Sequence, residues 1–189
     1  MHGELQKQGI ELSKNTVDKL MRDEGIRARC KRKFRVVTTD SKHDRPIAPN
    51  RLNQDFKAQK MNQVWLTDFT YIPSKEGFTY LCTVQDLCSR RIVGWATSRN
   101  IDTTLAYQNR LSACEFLQSM SRKGNCYDNA PMESFFRSFK VEEVYWNEYE
   151  THEQATRGVT DYIDRFYNRV RLHSSLDYLS PTEFENQES

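Results

Sequence analysis

The sequence lacks the features of membrane-embedded and secreted proteins. No apolar run approaches the length needed to span a membrane, and the N-terminus has no apolar core like that of a signal peptide. We therefore expect a cytoplasmic protein. With 189 residues, 37% of them hydrophobic and 12% aromatic, the chain is long enough for one globular domain and a small appendage.

Cysteines are few and follow no recognised pattern. None stands in a C-x-x-C pair, and their number is odd: Cys30, Cys82, Cys88, Cys114 and Cys126. Neither a disulfide framework nor a zinc site is indicated, and we expect reduced thiols. The net charge is only +2, which by itself says little about partners, so the distribution of charge has to be considered.

The segment 124–140 begins with turn-forming residues and predicts the start of a helix. Asp128 or Asn129 can cap that helix, and Pro131 then falls in the first turn, where its missing N–H costs nothing. A rigid element therefore starts here.

Helical spacing places a charged stripe along this element. Glu133, Arg137 and Lys140 share one face. The apolar residues cover the sides that would pack on a core: Met132, Phe135, Phe136 and Phe139. The alternative interpretation of the stripe is an ordinary solvated face.

Asp68 lies in the middle of a predicted strand. Residues 64–72 are rich in β-branched and aromatic side chains. A carboxylate inside such a strand is costly to bury unless something pairs with it. The alternative is an aspartate on an edge strand or on the solvent face.

Four segments together resemble one family, the DDE transposases of bacterial insertion sequences, of the OrfB type with a retroviral-integrase-like catalytic core. These segments are residues 65–72, 83–95, 119–136 and 167–176. They occur in the family's order and extend over nearly the whole chain. The resemblance implies an α/β, ribonuclease-H-like fold that begins with an antiparallel three-strand meander.

The predicted strands fit that meander. They cover residues 64–72, 78–85 and 91–97, and the first carries Asp68 where the family has its first catalytic aspartate. Asp86, beside turn formers, is interpreted as a turn residue and not as a metal ligand. A short strand is also predicted at residues 115–120.

The main departure from the family is an apparent internal deletion. The family has a fourth strand ending in a His-Ser-Asp-type motif whose aspartate is the second metal ligand, and no His-Ser-Asp occurs in this chain. Glu133 stands 65 positions after Asp68, whereas the family pattern needs roughly 90 or more. We therefore expect that about thirty residues, with the fourth strand, are deleted. Asp102 precedes the gap and is not expected to replace the missing ligand.

The resemblance also implies a chemistry, which is metal-dependent phosphoryl transfer at DNA ends. Two Mg²⁺ (or Mn²⁺) ions about 4 Å apart would be held by carboxylates. Asp68 and Glu133 correspond to the first and last catalytic metal ligands, and Lys140 and Arg137 would contact DNA. Without the second aspartate the set is incomplete, which puts metal binding in doubt.

Basic residues are concentrated in a short stretch near the N-terminus. They are Arg27, Arg29, Lys31, Arg32, Lys33 and Arg35. This density predicts contact with the DNA backbone, and a solvated linker is the alternative. Ahead of this stretch, Ser13 and Gly25 delimit a helix that follows another short helix, which resembles the last part of a helix-turn-helix or, alternatively, a plain helical hairpin.

The chain accordingly divides into three predicted parts. Residues 1–30 form a partial helix-turn-helix that the family resemblance marks as truncated, 31–62 form a basic linker, and 63–189 form the integrase-like core with its C-terminal helices. Capping boxes are predicted at 151–154 and 180–183. After the first box, the apolar positions expected in the core are Ala155, Val159, Tyr162, Ile163, Phe166, Tyr167 and Val170.

Three functional hypotheses follow for a protein expected at the bacterial nucleoid. The first is a DNA transposition protein capable of strand cleavage and strand transfer, impaired by the missing aspartate. The second is a non-catalytic DNA-binding remnant that acts as a homo-oligomer or with an intact transposase. The third is the product of a decayed element with no function of its own. Partners would be transposon ends and target DNA, and no membrane is implicated.

Overall fold

A computed structural model describes residues 1–26, 49–53, 55–100, 119 and 129–188. The basic stretch 27–35, Asp102 and Asp128 lie outside these residues, as does the predicted strand 115–120 apart from Ser119. Among the helices of the described ranges, none combines the length and the apolar character needed to cross a bilayer.

Three antiparallel strands form the sheet, in the order β1-β2-β3. They are β1 (Trp65–Ser74), β2 (Gly77–Asp86) and β3 (Ile92–Ser98). Asp68 on β1 lies opposite Thr83 on β2. The meander and the α/β class are confirmed, and each predicted strand end is within two residues of the observed one.

The turn after β2 is organised by a buried carboxylate. Asp86 accepts hydrogen bonds from the backbone N–H groups of Asn62 (2.7 Å), Ser89 (2.8 Å) and Cys88 (3.1 Å). These bonds satisfy the charge of a side chain that is almost completely buried. The interpretation of Asp86 as a turn residue is confirmed.

Two short helices open the chain, α1 (His2–Lys7) and α2 (Lys14–Asp23). The Ser13 hydroxyl caps α2 by accepting the Thr16 N–H at 3.1 Å. Gly25 follows α2 with φ +68°, a conformation that favours glycine and ends the helix. The predicted pair of helices is confirmed.

Helix α3 (Ala130–Glu142) packs its apolar sides on the sheet as predicted. All four expected core residues are buried: Met132, Phe135, Phe136 and Phe139. They form one cluster with residues of the sheet and of the helices that follow, among them Leu66, Ile72, Leu81, Val159 and Ile163. This burial fixes α3 against β1.

After a 3₁₀ turn at Val144–Trp146, helix α4 (His152–Thr160) runs directly into a π-helix at Asp161–Tyr167. Thr151 caps α4 by accepting the Gln154 N–H at 3.2 Å. The prediction of a uniform apolar stripe was wrong at its end, because Phe166 is 40% exposed and Val170 58% exposed. A π-helix bonds i to i+5, so the helical phase shifts and later residues rotate away from the core.

The C-terminus consists of a 3₁₀ turn at Ser174–Leu176 and helix α5 (Pro181–Glu188). Its predicted capping box is confirmed. Glu183 N–H donates to the Ser180 hydroxyl at 3.3 Å, and Ser180 N–H donates to the Glu183 carboxylate at 2.8 Å. The Glu183 carboxylate also pairs with Lys7, so α5 holds α1 on the core.

Candidate active site

Asp68 faces the side of the sheet on which α3 packs. Side chains alternate along a strand, so Asp68 points the same way as Leu66 and Ile72, which belong to the apolar cluster shared with α3. The Asp68 side chain is half-buried, and its carboxylate accepts the Phe69 N–H at 2.8 Å. A carboxylate is therefore held beside the first turn of α3.

Glu133 lies in that first turn and is exposed. Burial raises the pKa of Asp68, and the negative charge of Glu133 raises it further, whereas hydrogen bonds from Phe69 N–H and the Asn129 side chain lower it. The charge of Glu133 is thus near enough to Asp68 to disfavour ionisation of the Asp68 carboxyl. A cation bound between the Asp68 and Glu133 carboxylates would favour their negative charges.

Asn129 has a different role from the one predicted. It does precede the first residue of α3, but its side chain makes no capping hydrogen bond. The amide instead lies at β1, where its nitrogen is 3.5 Å from the Thr67 carbonyl oxygen and where its proximity lowers the pKa of Asp68. The side chain therefore links the start of α3 to β1.

The charged stripe of α3 continues away from Glu133. Arg137, one turn later, is exposed. Lys140, two turns later, is half-buried with its Nζ 4.4 Å from the centre of the Tyr71 ring, a cation–π contact. Burial lowers the pKa of Lys140. The backbone of Lys140 lies about 10 Å beyond that of Glu133 along the helix.

The donor set fits one divalent ion. Within the ranges that the structure describes, no group of three or more Asp, Glu, His or Cys side chains is placed to hold a metal. Two carboxylates can bind Mg²⁺ when water and substrate phosphate complete its shell. A site for two ions needs a further carboxylate, and Asp68 and Glu133 have none beside them in the described residues.

Residues 167–173 supply contacts that sequence reasoning did not assign. Arg171 donates to both oxygens of Glu142 on α3, at 2.8 to 3.1 Å, and to Ser138 at 3.0 Å. The Tyr162 hydroxyl donates to the same carboxylate at 2.7 Å. We call Arg171, Glu142, Tyr162 and Ser138 the α3 clamp. It anchors the C-terminal half of the helix that carries Glu133.

Asn168 completes the edge of β3. Its Oδ1 accepts the Ile92 N–H at 2.9 Å and its Nδ2 donates to the Ile92 carbonyl at 3.1 Å, as a neighbouring strand would. The amide thereby satisfies a buried backbone pair. The segment 167–176 contributed to the family resemblance. Nothing in the spacing of its residues predicts that Asn168 would bond the backbone of Ile92.

A three-strand antiparallel meander with a helix packed on one side of it, as observed here, is the architecture of an integrase core. Family models described as integrase core domains match residues 58–132 and 133–188, and one described as an HTH-like domain matches residues 1–34. The chain belongs to the insertion-sequence transposases of the IS3 type. The predicted family and fold are confirmed.

Similar proteins include the transposase for insertion sequence element IS904 of Lactococcus lactis, which is 37% identical over 96% of this chain and 83% of its own length. Transposase InsF for IS3fB of Escherichia coli K12 is 37% identical over 97% of this chain and 74% of its own. A 31 kDa protein of insertion element IS600 from Shigella sonnei is 35% identical over 97% and 79%. No solved structure matches the chain.

The length of these alignments bears on the missing segment. The alignment with the IS904 transposase spans 212 positions but contains 96% of this chain. Because 0.96 × 189 is about 181, some 31 of the 212 positions have no counterpart here if all gaps fall in this chain. That number agrees with the deletion of about thirty residues expected from the Asp68 to Glu133 spacing.

Proposed function

We propose that this chain is a DNA transposition protein that keeps the DNA and metal contacts of its family but is impaired in strand cleavage and strand transfer. The observation that carries this proposal is that the charge of Glu133 acts on Asp68, while no third metal-binding side chain is grouped with these two in the described residues. The surplus of about 31 alignment positions supports it, since its size matches the segment with the second aspartate that the family resemblance marks as absent.

A divalent ion such as Mg²⁺ or Mn²⁺ would stabilise the charge that develops on a phosphoryl group during transfer. Asp68 and Glu133 would hold it, and its positive charge would offset the burial and the Glu133 charge that raise the pKa of Asp68. Arg137 and Lys140 would bind the DNA phosphates beside it. Two carboxylates suit one ion. One of the two oxygens in the displacement, the attacking or the leaving one, would then have no cation of its own to stabilise it.

The test is nicking of supercoiled plasmid DNA, which needs no knowledge of the terminal repeats. The chain and its Asp68→Asn variant are compared in Mg²⁺ and in Mn²⁺. The time course is long enough to detect a nicking rate about tenfold above that of plasmid without protein. We expect no difference between the two proteins. Metal-dependent nicking by the parent that is lost in Asp68→Asn would overturn the impairment.

A second candidate function, a non-catalytic DNA-binding module, is favoured by the HTH-like match over residues 1–34. The segment 27–35 would supply phosphate contacts, and its expected signature is an affinity that falls steeply with salt. A triple variant, Arg29→Gln, Lys31→Gln and Lys33→Gln, should reduce the slope of log K against log salt by about 2 to 3.

The matched control replaces three exposed cations of the C-terminal helices by glutamine: Arg157, Arg165 and Arg169. Fluorescence anisotropy with a labelled duplex measures both triple variants. Equal reductions of the salt slope in the two triple variants would mean that only total charge matters. That result would contradict a DNA-binding module at residues 1–34. Light scattering of the chain alone, and mixed with the IS904 transposase, tests whether it forms homo-oligomers or associates with an intact transposase.

The domain division is proposed along the same boundaries, 1–30, 31–62 and 63–189. Limited trypsin digestion of the native chain provides the test, since 31–62 should be cut first if it is a linker. Resistance of 31–62, with first cuts inside 63–189, would contradict the division.

A further inference from the structure

A second concave site lies apart from the carboxylates. It is a cavity of about 750 Å³ bounded by α1, the start of α2, the turn after β2, α3 and the segment that follows the π-helix. Ser134 and Ser138 line it from α3, about 100° around the helix axis from Glu133 and Arg137. Neither Asp68 nor Glu133 reaches this cavity. Its volume is that of a site for a small organic ligand.

The wall of the cavity is cationic. Lys14, Arg90 and Arg171 line it, and among the described residues no aspartate or glutamate does. Arg171 is neutralised by Glu142, whereas neither Lys14 nor Arg90 has an ion pair within the described part of the chain. Burial, Arg171 and Arg90 together lower the pKa of His173 to about 4, so both guanidinium groups act on the same space. Such a wall attracts an anion.

Unpartnered polar atoms accompany these cations. Gln85 is 1% exposed, and its Nε2 donates to the Arg90 carbonyl and the Tyr167 hydroxyl, but its Oε1 has no partner. The Nε2 of His173 is likewise buried without a partner, and that ring packs edge-on against Tyr167 at 4.9 Å. Buried unpaired groups cost free energy that a ligand with N–H and acceptor atoms would relieve.

We propose that this cavity binds a single nucleotide, with its phosphate at Lys14 and Arg90 and its base against His173 and Gln85. A phosphate complements the positive charge of the wall. A nucleobase has a polar edge that can hydrogen-bond and a flat ring that Tyr167 and His173 can contact. The nucleotide can be free, or it can be the unpaired last nucleotide of a DNA strand. The proposal does not depend on metal binding by Asp68 and Glu133.

The experiment is calorimetric titration of the purified chain with dAMP in the presence of EDTA, with inorganic phosphate and deoxyadenosine as partial probes. Arg90→Gln and Lys14→Gln should each weaken dAMP binding about tenfold. Their matched controls are Arg91→Gln, next in sequence, and Lys19→Gln on the same helix, neither of which lines the cavity. The controls should bind dAMP within twofold of the parent.

Three results would overturn the proposal: no heat of binding with dAMP, equal weakening in the cavity and control variants, or binding of phosphate as tight as that of dAMP. Competition then separates the two sources. Displacement of dAMP by a duplex with one unpaired 3′ nucleotide, but not by the blunt duplex, supports a strand end as the ligand. Binding of dAMP that neither duplex displaces supports the free nucleotide. Because EDTA is present throughout, these outcomes are independent of the plasmid-nicking result.

Discussion

Replacing Arg171 with glutamine removes the cation that ties the C-terminal segment to helix α3. The guanidinium donates three hydrogen bonds to the Glu142 carboxylate, at 2.8, 2.9 and 3.1 Å, and a fourth to Ser138. The side chains of Arg171 and Glu142 are only 23% and 32% exposed. Arg171→Gln therefore leaves a carboxylate largely removed from water without its cation.

The magnitude follows from this partial burial. Breaking a fully buried ion pair costs about 3–5 kcal/mol, and an exposed pair is worth at most about 1 kcal/mol. For the α3 clamp we expect about 2–3 kcal/mol, because Tyr162 keeps one hydrogen bond to Glu142. In a chain of this size that loss lowers Tm by about 4 to 12 °C.

Thermal unfolding followed by tryptophan fluorescence measures the change. The matched control is Arg165→Gln, whose pair with Asp161 is 78% and 59% exposed and should contribute about 0.5 kcal/mol or less. The double variant Arg171→Gln, Glu142→Gln should be more stable than the sum of the single losses predicts. Equal Tm shifts for Arg171→Gln and Arg165→Gln would refute the α3 clamp.

Other perturbations have equally specific outcomes. Phe139→Ala should cost about 3–5 kcal/mol by urea unfolding, against about 1 kcal/mol for Phe166→Ala, because Phe139 is fully buried and Phe166 is 40% exposed; similar losses would contradict the packing. Asp68→Asn should raise Tm by about 2–4 °C at pH 8, since burial raises the folded-state pKa and the charged form destabilises the fold above it. That gain should shrink as the pH falls through the folded-state pKa, and a gain independent of pH would exclude this origin. Gly3→Ala should cost about 1–3 kcal/mol, because its Cβ would lie 2.5 Å from Tyr178 Cδ1, and Tyr178→Ala in the same chain should recover part of the loss.

Local patterns in the sequence were sufficient for the meander and for α3. Enrichment in β-branched and aromatic residues predicts β1, and the apolar spacing of α3 predicts its buried faces, because both signals arise within one element. The charged stripe of Glu133, Arg137 and Lys140 was predicted in the same way. Its place beside Asp68 depended on the family resemblance, since no periodicity relates a strand to a helix 65 positions later.

The remaining features are set by tertiary contacts. Asn129 is a good N-cap residue by type, but its amide donates to the Thr67 carbonyl of β1 at 3.5 Å and makes no capping bond. Phe166 and Val170 have helical spacing, yet the π-helix moves them to the surface. The α3 clamp joins Arg171 to Glu142 across 29 positions, a pairing that charge alone cannot select among the many basic residues of the chain.

The proposed metal site of Asp68 and Glu133 is tested most directly by the change in Tm that Mn²⁺ causes. Tm of the parent is recorded without metal and with 1 mM Mn²⁺, alongside Asp68→Asn, Glu133→Gln and the control Glu153→Gln, which removes an exposed carboxylate on α4. With a Kd of about 0.1 mM, ligation stabilises the fold by about 1.4 kcal/mol, or about 3 to 6 °C. We predict this rise in the parent and in Glu153→Gln and its loss in the other two variants. A Tm that ignores Mn²⁺, or a rise that persists in Asp68→Asn, would contradict the proposed metal site.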